Sequence, residues 1–232
     1  MNIDLIHHGT MLSVLARDPT DGTLGIALAS TSIAIGSRCP HIDVGRAAVA
    51  SQGFTNLKVG PLALDLVRCG LTALEVLEAL RQHDRWLDYR QIGIITADGQ
   101  IEAHTGSMAT GWAGHVVGKD ILCMGNGIAH DEDILDAALS GFSDNPQTPL
   151  AERLLTTLEG AKAKLGEAFP VTSASLLVRS PTAESQIDLR VDLPRIPTDQ
   201  GGSALADLRD LYDQYLPLLD TYAARSVAPR SF

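Results

Sequence analysis

Apolar residues recur along this chain in two spacings, and the spacings divide it into strands and helices. Met11–Arg17 (MLSVLAR) and Leu24–Ala29 (LGIALA) are short apolar runs on either side of Asp18-Pro19-Thr20-Asp21-Gly22, a turn sequence, and predict a hairpin. Ser30-Thr31-Ser32 leads into Ile33-Ala34-Ile35-Gly36, and after a loop holding Cys39-Pro40-His41 a third strand is predicted over Arg46–Ser51. Both faces of these runs are apolar or small, the pattern of strands buried on two sides.

Helical spacing follows. Gly60-Pro61 opens a helix with Leu62, Leu66 and Val67 on one face, and Gly70 ends it. Thr72-Ala73-Leu74-Glu75 reads as a capping box for a second helix with Ala73, Val76, Leu77 and Leu80 as its buried stripe. Gln91–Thr96 and Gln100–His104 form a predicted hairpin around Ala97-Asp98-Gly99. A shorter pair is predicted over His115–Val117 and Asp120–Met124. Helices are predicted over Asp131–Phe142 and Pro149–Leu165, with Asn145-Pro146-Gln147 as the loop between them. Strands over Ser173–Arg179 and Gln186–Val191 come next. A last helix starts near Ser203 and loses its regularity at Pro217.

Strands, helix pair, strands, helix pair, strands, helix is not a βαβα alternation. It predicts an α+β fold in which two antiparallel sheets pack face to face with helices outside, a four-layer αββα sandwich. No stretch reads as a linker, so residues 10–232 are expected to form one domain after an N-terminal extension, 1–9.

Of the 232 residues 45% are hydrophobic and 20% charged, enough for a substantial core and against disorder. A formal charge of −10 argues against nucleic acid and anionic membranes as partners. No apolar run reaches the roughly 20 residues of a spanning helix. The first ten residues lack a basic, then apolar, secretory pattern. Cys39, Cys69 and Cys123 are widely spaced and odd in number, which reads as reduced thiols. A cytoplasmic protein is expected, and a homodimer on general grounds.

Most reactive motifs are missing. GxGxxG, the phosphate-binding P-loop and GxSxG do not occur. His7-His8 are adjacent, and His104, His115 and His130 stand apart with no HExxH, so no metal or other cofactor is expected. Gly9-Thr10 is the exception. A threonine freed as a chain terminus carries a hydroxyl nucleophile and, in its own α-amine, a base. The plain alternative is a loop entering a strand.

The run Thr10–Pro19 (TMLSVLARDP) resembles the "TFSIVARDP" opening of the domain of unknown function 1028 family, which is grouped with the N-terminal-nucleophile (Ntn) hydrolases. Gly22–Ala27, Ala34–Gly36, Val44–Gln52, Ala103–Gly106, Gly125-Asn126, Pro149–Leu155 and Ile187–Asp192 match in order. The resemblance implies the αββα fold and hydrolysis of a small non-peptide amide, or of a cyclic amide or imide. Members usually begin near the matching threonine; here nine residues precede it, so catalysis by Thr10 requires processing. The rival expectation is a non-catalytic relative that binds a small metabolite; a purely structural partner protein is a third.

On these readings Thr10 is the candidate nucleophile, and Asn126, between two glycines, the candidate oxyanion donor. His104 is a candidate for proton transfer, with Thr105 and Gly106 beside it in the substrate region. Gln52 is a candidate for orienting substrate and Arg46 for anchoring a carboxylate. Each has a structural alternative: an Asn-Gly turn, a satisfied histidine, a loop-capping amide, a strand-edge charge. Ser13, three residues from Thr10, is placed by the strand period on the opposite face and read as packing.

Overall fold

The computed structural model describes residues 9–128, 133–143, 147–181 and 186–229. The expected extension up to residue 8, His7-His8, His130, the start of the helix expected at Asp131 and most of the Asn145-Pro146-Gln147 loop lie outside the described residues.

The strands are β1 (Met11–Arg17), β2 (Leu24–Ser30), β3 (Pro40–Asp43), β4 (Ala47–Gly53), β5 (Arg90–Thr96), β6 (Ile101–Thr105), β7 (Trp112–Gly118), β8 (Ile121–Ile128), β9 (Ser173–Arg179) and β10 (Ile187–Val191). The helices are α1 (Val59–Arg68), α2 (Ala73–His83), α3 (Asp133–Ser143), α4 (Leu150–Leu165), α5 (Ala204–Tyr215) and α6 (Leu219–Val227). Six strands form one antiparallel sheet in the order β10-β9-β2-β1-β8-β7, and four form a second in the order β3-β4-β5-β6.

Three apolar layers account for the stacking. Leu12, Val14 and Ala16 of β1 belong to the core that the first sheet shares with its helices, in which α4 lies over β1 and β2, α3 over β7 and β8, and α5 over β9 and β10. The alternate residues Met11 and Leu15 meet Ala48, Ala50 and Ile95 of the second sheet. Val49, Ile92 and Ile94 on that sheet's other face are covered by Val59, Ala63, Val76 and Leu80 of α1 and α2. The period of two along each inner strand therefore serves two cores, which is why these strands lack a polar face. The fold is the α+β, four-layer αββα sandwich.

Local signals explain most boundaries. The Thr72 capping box is formed: Thr72 Oγ1 accepts from the Glu75 amide, and the Glu75 carboxylate accepts from the Thr72 amide at 2.8 Å. Pro217 falls in a single 3-10 turn, Leu216–Leu218, that separates α5 from α6. Two expectations are corrected. The segment around Cys39-Pro40-His41 is an edge strand, β3, not only a loop; its proline sits where an edge tolerates a missing donor. The short pair at 115–124 is longer, because β7 starts at Trp112 and β8 runs to Ile128.

Candidate functional site

Gln52 ends an otherwise apolar β4 and Gln91 lies near the start of β5, so antiparallel pairing sets the two glutamines directly opposite each other. Thr105 on β6 is the next partner, opposite Gln91. All three share the face of Ile95, toward the first sheet. From that sheet Ser13 of β1 and Asn126 of β8, the cross-strand partner of Met11, face them. Ser13, Gln52, Gln91 and Asn126 are buried. Buried amides and hydroxyls need partners, and these supply one another.

The network has a direction. Gln91 Nε2 faces the carbonyl oxygens of Gly114 at 2.9 Å and Gly125 at 3.0 Å, which only an NH₂ group can satisfy, so the amide orientation is fixed. Gln91 Oε1 then accepts from Gln52 Nε2 at 2.5 Å and Asn126 Nδ2 at 3.1 Å. Gln52 Oε1 accepts from the Ser13 hydroxyl. Gln91 Nε2 also donates to Thr105 Oγ1 at 2.9 Å, its two protons being shared among three acceptors. Thr105 Oγ1 lies 2.8 Å from His115 Nδ1. In the tautomer that carries its proton on Nε2, His115 accepts the Thr105 hydroxyl proton at Nδ1.

The chain of bonds emerges at a cleft of about 580 Å³ lined by residues of the 105–111 loop and the first half of β7, among them Thr105, Gly106, Gly111, Trp112 and His115. None of its nine lining residues is Asp, Glu, Lys or Arg. Partial desolvation, with a smaller contribution from nearby His104, pushes the His115 imidazole below its usual value. β7 carries a bulge between Trp112 and Gly114, an irregularity that re-aims neighbouring side chains. Gly106 closes the cleft's floor: a Cβ there would lie 2.1 Å from the carbonyl oxygen of Asp88.

The expected site residues thus separate into groups. Gln52, Asn126, Thr105 and Gly106 come together at the network and cleft. His104 does not: it is buried on the opposite face of β6, its Nε2 3.1 Å from the Leu87 carbonyl oxygen, and burial lowers its pKa. Arg46 precedes β4 at the other end of that strand. It pairs with Asp43 at 3.3 Å and lines a separate surface hollow with Gly45 and Gln100. Six residues of extended chain, about 20 Å, separate it from Gln52.

Thr10 stands at the start of β1 with its hydroxyl donating to the Gly127 carbonyl oxygen at 2.7 Å. Its own carbonyl oxygen accepts from the Thr31 amide and the Ser30 hydroxyl, both at 3.0 Å. Gly127, at φ +66°, lies so close that a Cβ would be 3.1 Å from Thr10 Cα, and Gly111 packs equally closely on its other side. Gly111 lines the cleft, so Thr10 sits behind two layers of glycine backbone. Ser13 does lie on the face opposite the one Thr10 follows, but as a network donor rather than as packing alone.

Gln91 and His115 are the main residues that single-residue reading misses. The detectable signal was a second glutamine beside a second apolar strand, in register with the first.

Fold and site together define an αββα sandwich protein with an uncharged polar cleft fed by a buried amide network. The chain belongs to the family of unknown function DUF1028, whose sequence pattern matches residues 11–200. A crystal structure of a DUF1028 protein from Silicibacter pomeroyi is similar, with TM-score 0.79 and 26% identity over 89% of this chain and 89% of that one. The Anbu (ancestral beta-subunit) of Yersinia bercovieri aligns over 90% of this chain and 96% of its own at 13% identity, with a TM-score of 0.38, too low to carry structural argument. No curated protein matches the chain.

Proposed function

We propose that the protein binds a small, uncharged, hydrogen-bonding metabolite, such as an amide, cyclic amide or imide, in the cleft at Thr105 and His115. The observation that carries this reading is the cleft's electroneutrality in a chain of net charge −10. A carboxylate or ammonium entering it would lose water without gaining a counter-charge, whereas a neutral amide exchanges hydrogen bonds on equal terms. Trp112 offers a flat apolar surface, and His115 a ring nitrogen that the network leaves uncommitted. The buried amides behind hold Thr105 in one orientation, which reduces the ordering cost of binding.

The test is a thermal-shift and ligand-observed NMR screen of neutral amides and imides against carboxylates and amines of matched size. Neutral compounds should raise Tm, and Trp112→Ala should remove the effect. Binding confined to charged compounds, or binding that survives in Trp112→Ala, contradicts the reading.

A second reading, hydrolysis of a small C–N bond by Thr10, draws support from one observation: Thr10 immediately precedes β1, an inner strand of the six-stranded sheet, with its hydroxyl already hydrogen-bonded. It requires cleavage after Gly9 and an opening past Gly127. Intact-mass measurement tests it. Loss of the first nine residues with amidase activity that Thr10→Ala abolishes favours this reading; a full-length species inactive on an amide panel rules it out.

A further inference from the structure

We propose that Thr105 and His115 are a hydroxyl–imidazole pair that performs acyl transfer on a neutral amide or ester held in the cleft. The inference rests on the cleft reading above and is independent of Thr10.

Three features set this pair apart from an ordinary strand-to-strand tie. The 2.8 Å separation of Thr105 Oγ1 and His115 Nδ1 is the spacing of a nucleophile and its base. Gln91 Nε2 also donates to that oxygen at 2.9 Å, which holds the Thr105 side chain in place, and in the Nε2–H tautomer of His115 the hydroxyl proton lies on the imidazole side. Finally, both groups open onto a 580 Å³ cleft, where a carbonyl carbon has room to approach. The third element of such sites, an orienting partner, here acts on the nucleophile instead of the base: Gln91 is held by the Gly114 and Gly125 carbonyls and by Gln52 and Asn126. The Ser13–Gln52–Gln91 chain is a positioning device, and Thr105 and His115 are the groups that touch substrate.

The step balances without a cofactor. Thr105 Oγ1 attacks the acyl carbon while its proton passes to His115 Nδ1. The acyl C–N or C–O bond breaks, and His115 returns that proton to the departing nitrogen or oxygen, leaving an ester on Thr105. Water then attacks the ester carbonyl and gives a proton to His115. The C–Oγ1 bond breaks, and the proton goes back to Thr105.

The probe is p-nitrophenyl acetate with the full chain. A burst of p-nitrophenolate is expected, together with the mass of one acetyl group that peptide mapping places on Thr105. His115→Gln should slow the burst by about 100-fold or more. Thr105→Ser should retain the burst and Thr105→Ala abolish it. The burst rate should rise with pH as the imidazole loses its proton. Absence of acetyl from Thr105, or an equal burst from Thr105→Ala, overturns the proposal. The neutral-ligand screen separates its failure from that of the cleft reading. Ligands that bind without any acylation leave the cleft standing and make the pair a structural tie. Acetyl on Thr105 with no ligand bound does the reverse.

Discussion

Gln91 on β5 donates a 3.0 Å hydrogen bond to the backbone carbonyl of Gly125 on β8, so a single side chain ties one sheet of the sandwich to the other. Around it the inter-sheet layer is apolar, lined by Met11, Leu15, Ile95 and Met124. A polar bridge there persists because every atom of the amide is satisfied. Gln91→Leu keeps the volume but strands the Gly114 and Gly125 carbonyls and the Gln52 and Asn126 amides. At about 1–3 kcal/mol for each buried group left unpaired, and with partial relaxation, a loss of roughly 3–5 kcal/mol of unfolding free energy is expected. Urea unfolding followed by circular dichroism measures it. A loss below about 1 kcal/mol would show that the bridge contributes little.

Gly106 makes a second, steric, prediction. Its amide donates to the Arg90 carbonyl at 2.9 Å and the Met108 amide donates to the Asp88 carbonyl at 2.9 Å, so the loop is laced to the first residue of β5 and the segment just before it. In Gly106→Ala the new methyl would lie 2.1 Å from Asp88 oxygen and 2.4 Å from its carbonyl carbon, both backbone atoms that cannot swing aside. The loop must lift. About 1–3 kcal/mol of destabilisation is expected, along with loss of neutral-ligand binding. Unchanged Tm and unchanged binding in that variant would mean that the loop does not form the cleft floor.

How far the residues alone reveal this arrangement depends on whether a signal is local. The α2 cap is local, Thr72 and Glu75 being three residues apart, and it forms as expected. The layers are legible because apolar residues on both faces of β1 and β2 demand cover on both sides. β3 is not: it is only four half-buried residues long, begins with a proline and holds a single aliphatic side chain, Ile42, too little for a period to show. In the site, Gln52, Thr105, Gly106 and Asn126 stand out as polar or small residues beside apolar strands. Their meeting depends on cross-strand register, which no single segment encodes, and so Gln91 is passed over and His115 reads only as an isolated histidine. Arg46 and His104 show the converse. Arg46 is only six residues from Gln52, yet lies at the far end of the strand. His104 adjoins Thr105 but points to the other face, as the period of two requires.

The cysteines give a third prediction. Cys39 and Cys123 are buried, and burial pushes both thiols up, Cys123 to about 12, so neither forms thiolate near neutral pH. Cys69, following α1, is exposed. A thiol reagent should therefore label one cysteine quickly in the native protein and all three in urea. Cys69→Ser should abolish the fast phase. Rapid native labelling of Cys123 would mean that the core between the first sheet and its helices opens readily.

Histidine ionisation sets the pH dependence of stability between neutrality and mild acid. His41, His104 and His115 all have pKa values lowered from 6.5, in each case chiefly by burial. The folded chain therefore holds fewer protons than the unfolded chain as pH falls below about 6.5, and protonation favours unfolding. This contribution is complete above the unfolded value and declines as pH falls toward the folded ones. The depressed carboxylates Asp84, Asp98 and Glu152 act in the same sense but in a lower window, because their contribution is lost only as pH falls through folded values below 3.8 for the aspartates and 4.5 for the glutamate. Between pH 7.5 and 5.5 the slope thus belongs to histidine, and unfolding free energy from urea titrations should fall across that range. His104→Gln, whose amide can still donate to the Leu87 carbonyl, should flatten the slope. A profile that rises toward pH 5.5 would mean that these imidazoles gain protons on folding, against the burial that His104 shows.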